Sequence, residues 1–313
     1  MPARQAPRFS ASLKTTVAGL DFASPVGLAA GFDKDGEVPA QMLGLGFGFV
    51  EVGTVTPKPQ KGNPKPRLFR LVEDEAVINR MGFNNKGQAS ALERLPALED
   101  RAGPIGVNVG ANKDSADRIA DYAEGVRRAA PVADFVTINI SSPNTPGLRG
   151  LQDGGELSDL LAAVDEVRTS KPIFLKVAPD LVGGDHERIV RCAIEHHVDA
   201  LIVSNTTVSR PSLRSRYAGE QGGLSGAPLK TLALDALKAF RFASGGEIPL
   251  IGVGGIATAD DAWERIRSGA GLVQLYTAMV YDGPSIGRRI AEGLAERLKR
   301  EGFSSIAEAV GTG

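Results

Sequence analysis

The chain has 313 residues, 42% of them hydrophobic, which suits one large α/β domain with a sizeable core. Its 36 Lys and Arg balance 37 Asp and Glu to a formal net charge of −1, so charge gives no reason to expect a nucleic-acid partner. A single cysteine, Cys192, excludes an internal disulfide and fits a reducing compartment, and no stretch is apolar for long enough to span a bilayer.

In chain order, eight short apolar runs stand out at 26–30, 49–55, 105–109, 135–140, 173–177, 200–204, 249–253 and 272–275. Each is rich in Val, Ile, Leu or Phe without polar alternation, as in strands buried on both faces. Amphipathic segments at 114–130, 157–169, 186–197, 229–243 and 259–268 separate most of them. That alternation predicts βα units and a parallel sheet. Eight units predict an α/β fold, a (β/α)8 TIM barrel forming one domain over 1–313. The interval 56–102 is too long for one crossover. Within it, Arg67-Leu68-Phe69-Arg70-Leu71 and Ala76-Val77-Ile78-Asn79 flank an acidic turn, Glu73-Asp74-Glu75. They predict a small β-hairpin laid over the barrel mouth. Only the last few residues look loose.

In a barrel the chemistry gathers where strands end. A single polar residue there is most simply a loop cap, but here nearly every end is unusual. The first strand ends in Ala29-Ala30-Gly31, small enough for a flat ring to approach the backbone, and Lys34 follows to meet an anion. Gly53-Thr54, Asn108, Lys176, Ser204-Asn205-Thr206 and Tyr276-Thr277 end other strands. The fourth strand runs into Asn139 and a turn carrying Ser142, Pro143, Asn144, Pro146 and Gly147. Its buried amides and hydroxyls need partners: either they satisfy one another in a tight turn, or a small polar ligand satisfies them. Gly252–Gly255 after the seventh strand, with Tyr276-Thr277 after the eighth, matches the usual phosphate site of a barrel. Gly222–Gly226 adds a third glycine loop. The ligand expected is a phosphorylated cofactor with its ring near Ala29 and Lys176. Lys176 itself is a lone cation in an apolar strand. It either pairs with a buried carboxylate or stabilises negative charge on the cofactor, as at the edge of a reduced flavin.

His186, His196 and His197 lie beside one helix without partners at ligand spacing, so no metal site is expected. Cys192 reads as buried and inert, and Trp263 as a packing residue. With no His near a strand end, no Ser-His-Asp set is expected.

At these motifs the chain closely resembles the class 2, quinone-linked dihydroorotate dehydrogenases of pyrimidine synthesis. The resemblance spans about 20–283 and rests on Ser24–Gly36, Gly53–Pro57, Asn79–Asn84, Asn139–Arg149, Asn205–Thr207, Gly222–Gly226 and Gly252–Ile256. It implies FMN, held by Ala29, Ala30, Gly31, Thr54, Asn108, Asn139, Lys176, Ser204, Gly226, Gly255, Tyr276 and Thr277. The family more often has Thr where Ser204 stands; both carry a hydroxyl. The resemblance also implies dihydroorotate and orotate against Lys34, Asn79, Arg80, Met81, Gly82, Phe83, Asn139, Asn144, Asn205 and Thr206. Ser142 is then the base that takes the C5 proton while C6 passes hydride to flavin N5, with Thr145 and a water as its proton path. Soluble class 1 enzymes carry Cys at that position.

The implied acceptor is ubiquinone or menaquinone at the cytoplasmic face of the cell membrane, and a monomer is expected. Class 2 enzymes normally begin with two amphipathic helices that dock on the membrane and form the quinone tunnel. Residues 1–16 are too short to supply them, which puts membrane attachment in doubt and allows a cytoplasmic location. Other readings are another FMN barrel that reduces a pyrimidine, as in the dihydropyrimidine and dihydrouridine enzymes, and a flavin- or phosphate-binding barrel without catalysis.

Overall fold

The computed structural model describes residues 7–95, 101–145 and 147–313, so Pro146 and the first six residues of the N-terminal stretch lie outside it. The chain opens with a hairpin the sequence reading did not anticipate, β1 (Thr15–Val17) and β2 (Leu20–Phe22). There follow β3 (Val26–Leu28), β4 (Phe49–Val55), β5 (Leu68–Leu71), β6 (Ala76–Asn79), β7 (Ile105–Val109) and β8 (Phe135–Asn139). The remainder are β9 (Ile173–Val177), β10 (Ala200–Val203), β11 (Gly223–Gly226), β12 (Leu250–Val253) and β13 (Ala270–Leu275). Strands β3, β4, β7, β8, β9, β10, β12 and β13 close into a barrel in that order, every pair parallel. This is the expected TIM barrel.

The helices are α1 (Pro39–Gly44), α2 (Gln88–Leu92), α3 (Arg118–Ala129), α4 (Gly154–Asp165) and α5 (Asp185–Glu195). They continue with α6 (Lys230–Ser244), α7 (Ala259–Arg267), α8 (Thr277–Asp282), α9 (Ile286–Glu301) and α10 (Ile306–Ala309). Helix α3 starts later than the predicted 114 because Asp117 caps it, accepting from Ala120 N–H at 2.9 Å.

Side chains from alternate strand positions fill the barrel. Its lower layer is aromatic: Phe135 stacks on Phe174 at 4.6 Å, and Phe49 meets Phe22 edge-on at 5.1 Å. Phe22 comes from β2, so the unanticipated hairpin plugs the barrel floor. Glycine makes room for these rings. A Cβ on Gly106 would lie 2.1 Å from the Phe135 ring, and one on Gly27 would lie 2.3 Å from Phe49.

The expected hairpin over the mouth forms as β5 and β6, but it has a third strand. β11, read from sequence as a glycine loop, pairs antiparallel with β6 (Gly223↔Asn79 to Gly226↔Ala76). Phe69, Leu71, Ile78 and Leu224 give this sheet its own small core. The chain end is also not loose: Gly311 N–H donates to Ile266 O at 3.1 Å and Gly313 N–H to Arg267 O at 2.9 Å.

Candidate active site

The carboxyl ends of the barrel strands and the underside of the three-stranded sheet enclose a cavity of about 540 Å³. Its wall includes Ala29, Ala30, Gly31, Lys34, Thr54, Asn79, Met81, Gly82, Phe83, Asn139, Ser142, Asn144, Lys176, Ser204, Asn205, Thr206, Gly226, Gly255, Tyr276 and Thr277. Residues singled out from many separate motifs thus meet on one surface. Asn108, Thr145 and Arg80 do not line it. Arg80 turns away, its Nη1 donating to Glu220 at 2.8 Å and its guanidinium lying 4.6 Å over the Phe69 ring.

Amides dominate the floor and one wall. Thr54 Oγ1 donates to Asn108 Oδ1 at 2.5 Å, and Asn139 Nδ2 donates to Thr54 Oγ1 at 3.0 Å. Asn205 Nδ2 donates to Asn139 Oδ1 at 3.2 Å and to Ser141 Oγ at 3.0 Å. Asn144 Nδ2 donates to Asn79 Oδ1 at 3.2 Å, which carries the amide row onto β6. The tight-turn reading therefore holds in part, because these groups partner one another. They still leave amide edges toward the cavity, suited to a ring that bears both N–H and C=O. Ser142 is buried beside them, its Oγ accepting only from Asn144 N–H at 3.3 Å. The nearby Thr145 Oγ1 is buried without a hydrogen-bond partner among the described residues.

Two lysines face the cavity without a hydrogen bond or ion pair to any described residue. Lys176 rises from β9 with 5% of its surface exposed. Desolvation lowers its pKa, and the charge of Glu51 acts in the opposite sense. Glu51 is the buried carboxylate that the bland reading of Lys176 required, although the two make no direct pair. Asn108 Nδ2 and Gln274 Nε2 hold the Glu51 oxygens at 2.6 Å each. Lys34 is pushed down to about 8, first by desolvation and second by the Arg67 guanidinium, with Asp35 opposing.

The far end of the cavity carries the glycines. Gly254 and Gly255 N–H find no acceptor among the described residues, and both glycines have positive φ (113° and 68°). A Cβ on Gly255 would sit 2.4 Å from Lys230 Cα, so only glycine allows this approach of loop to helix.

Sequence reasoning missed several supporting residues. Tyr122 of α3 donates to Asn139 O at 2.6 Å and so pins the end of β8; burial pushes its phenol well up. It was not visible because a helix tyrosine reads as packing. A Ser-His-Asp string also exists, against expectation: Ser158 Oγ lies 3.1 Å from His196 Nε2, and His196 Nδ1 lies 3.3 Å from Asp165. It sits on the outer helices. Ser158 is inside α4, where the neighbouring N–H groups are engaged in the helix and leave no donors for an oxyanion. The string fastens α4 to the end of α5. Cys192 and Trp263 are buried, the latter 5.8 Å from Phe303.

Comparisons with known proteins agree with one another. The family model described as "Dihydroorotate dehydrogenase" matches residues 12–298. A protein of Novosphingobium aromaticivorans named "Dihydroorotate dehydrogenase (quinone)" is 63% identical over 308 residues, covering 96% of this chain and 88% of that one. A protein of the same name from Erythrobacter litoralis is 64% identical over 304 residues, covering 96% and 89%. The crystal structure of DHODH from Eimeria tenella in complex with ferulenol superposes with a TM-score of 0.93 at 41% identity, covering 97% of this chain and 89% of that one. The chain belongs to the dihydroorotate dehydrogenase family, in the quinone class that these relatives represent.

Proposed function

We propose that the chain oxidises dihydroorotate to orotate in pyrimidine synthesis, with FMN in the cavity and a quinone as final acceptor. The observation that carries this is the convergence of Ser142, four asparagine amides and two unpaired lysines on one cavity wall. The family is flavin-dependent, and the cavity suits FMN in particular. Ala29, Ala30 and Gly31 leave room for a flat ring, Lys176 offers it an unpaired cation, and unbonded glycine N–H groups await a phosphate. Thr54, Asn139, Ser204, Gly226, Tyr276 and Thr277 complete that cradle, with Asn108 bracing Thr54 from behind. FMN, when bound, supplies the hydride acceptor.

The residues of the chain do the rest. Lys34 takes the substrate carboxylate, and Asn79, Asn144, Asn205 and Thr206 orient the ring amides, beside Met81, Gly82 and Phe83. Arg80 supports the site by bonding to Glu220 outside the cavity. Ser142 Oγ removes the C5 proton, and Thr145, whose hydroxyl is buried and unpartnered, relays it.

The cavity wall also includes the largely apolar set Leu68, Val77, Leu229, Ile256, Val280 and Tyr281, together with Arg70. This apolar set suits a quinone entering from the membrane surface. Leu68, 60% exposed, stands at its rim. Among the described residues no helix is long and apolar enough to cross a membrane. The test is to mix the purified protein anaerobically with dihydroorotate and follow the flavin band. Bleaching, reversed by a soluble ubiquinone analogue, is expected; a flavin-loaded protein that does not bleach would exclude dihydroorotate.

A further inference from the structure

We infer that Arg265 is a positioning residue for the cofactor phosphate, aiming a peptide N–H at it and supplying positive charge from behind. The inference rests on the phosphate lying at the Gly254-Gly255 end of the cavity. Arg265, on α7, is fully buried, the largest side chain to be so among the described residues. Its Nη2 donates to Lys230 O at 2.7 Å and to Gly254 O at 3.0 Å, while Nε and Nη1 have no hydrogen-bond partner. The nearest acid in sequence on its helix face is already committed. Asp261 is paired with Lys230 Nζ and accepts from Ala257 and Thr258 N–H at 3.0 and 2.9 Å.

A buried guanidinium with spare donors is costly unless nearby charge offsets it, and the carboxylates whose charge reaches it, Glu264, Asp261 and Asp235, make no hydrogen bond or ion pair to it. In a trans peptide the C=O and N–H point in opposite directions. Arg265 holds the Gly254 carbonyl, so the Gly255 N–H of the same peptide points away from Arg265. That N–H has no acceptor among the described residues, and Gly254 and Gly255 both line the cavity. The second carbonyl that Arg265 holds, Lys230 O, opens α6, the helix that Gly255 packs against at a distance only glycine permits. One side chain thus ties the loop after β12 to the start of α6 and leaves the Gly255 N–H directed away from itself. A phosphate dianion received there adds its charge to that of those carboxylates.

The test compares two flavins that differ only in the phosphate. Flavin release from the loaded protein is followed by fluorescence on dilution, for FMN and for riboflavin, in wild type, Arg265→Met and Arg265→Lys. Arg265→Met is expected to weaken FMN roughly 10–100-fold, as loss of a nearby buried charge would, and to leave riboflavin within about twofold. Arg265→Lys, which keeps the charge, should recover part of the FMN preference and serves if the methionine variant does not fold. Equal weakening of both flavins, or no weakening of FMN, would overturn the role of Arg265. Equal affinity of the wild type for the two flavins would instead remove the phosphate assignment on which the inference stands.

Discussion

Arg149 and Asp180 join the turn that carries Ser142 to the loop that follows β10. Arg149 Nη1 donates to Asp180 Oδ2 at 2.8 Å, its Nε to Ser141 O at 3.1 Å and its Nη2 to Thr206 O at 2.9 Å. Asp180 in turn accepts from Thr207 Oγ1, from Ser209 Oγ at 3.1 Å and from Val208 N–H at 3.2 Å. The pair therefore holds the residue before Ser142 and the residues after Asn205 in one frame.

Asp180→Asn should lower kcat/KM by roughly 10–100-fold through misplacement of Ser142 and Thr206. FMN content should stay unchanged. Steady-state kinetics with a flavin count checks this, and unaltered kcat/KM would show that the turn holds itself. Burial alone would raise the Asp180 carboxyl, but the Thr207 hydroxyl and Arg149 outweigh it and keep its pKa below 3.8. Its contribution to stability is therefore present above the ordinary carboxylate range and is lost as pH falls through the depressed pKa.

Ser142→Ala should slow anaerobic flavin reduction by roughly 10²–10⁴-fold, the usual worth of a positioned base. Stopped-flow bleaching measures it directly. A rate equal to wild type would remove Ser142 from the proton step.

Lys34 carries the clearest pH signature. Its pKa of about 8 in the ligand-free protein means that the cation which attracts a carboxylate is lost as pH rises through that value. An anionic ligand restores the charge and raises the pKa. Orotate binding should therefore take up a proton near and above pH 8 and none well below it, with affinity falling as pH rises. Calorimetry in buffers of different ionisation enthalpy would show the uptake. For the empty protein the sign is reversed, since a lysine held below its ordinary pKa costs stability when protonated. Lys34→Met should abolish the uptake, and an uptake that persists would assign it to another group.

Gly106→Ala tests the barrel floor. The added methyl would meet the Phe135 ring at 2.1 Å, and that ring is itself stacked on Phe174 at 4.6 Å. A loss of about 1–3 kcal/mol is expected from overpacking. Phe135→Leu in the same chain should return part of it. Thermal unfolding of both variants gives the answer, and a neutral Gly106→Ala would mean that the aromatic layer can shift freely.

Much of this protein follows from local sequence. The barrel strands were legible because uniformly apolar runs separated by amphipathic segments have few other folded solutions, and strand bounds agree with the structure to within two residues. The site was legible for a related reason: an amide, lysine or glycine that ends a buried run must sit at the barrel mouth. Tertiary structure alone decided the rest. Residues 223–226 carry the glycines of a loop, yet become a strand because β6, far earlier in the chain, offers an unpaired edge. Glu51 and Gln274 stand 223 residues apart and meet only because the barrel closes. Arg265 reads as one more charge on a polar helix face and is buried by the loop folded over it. Local pattern reports which face of an element avoids water, whereas the partner of a buried polar group is set by closure of the chain on itself, which no short window of sequence contains.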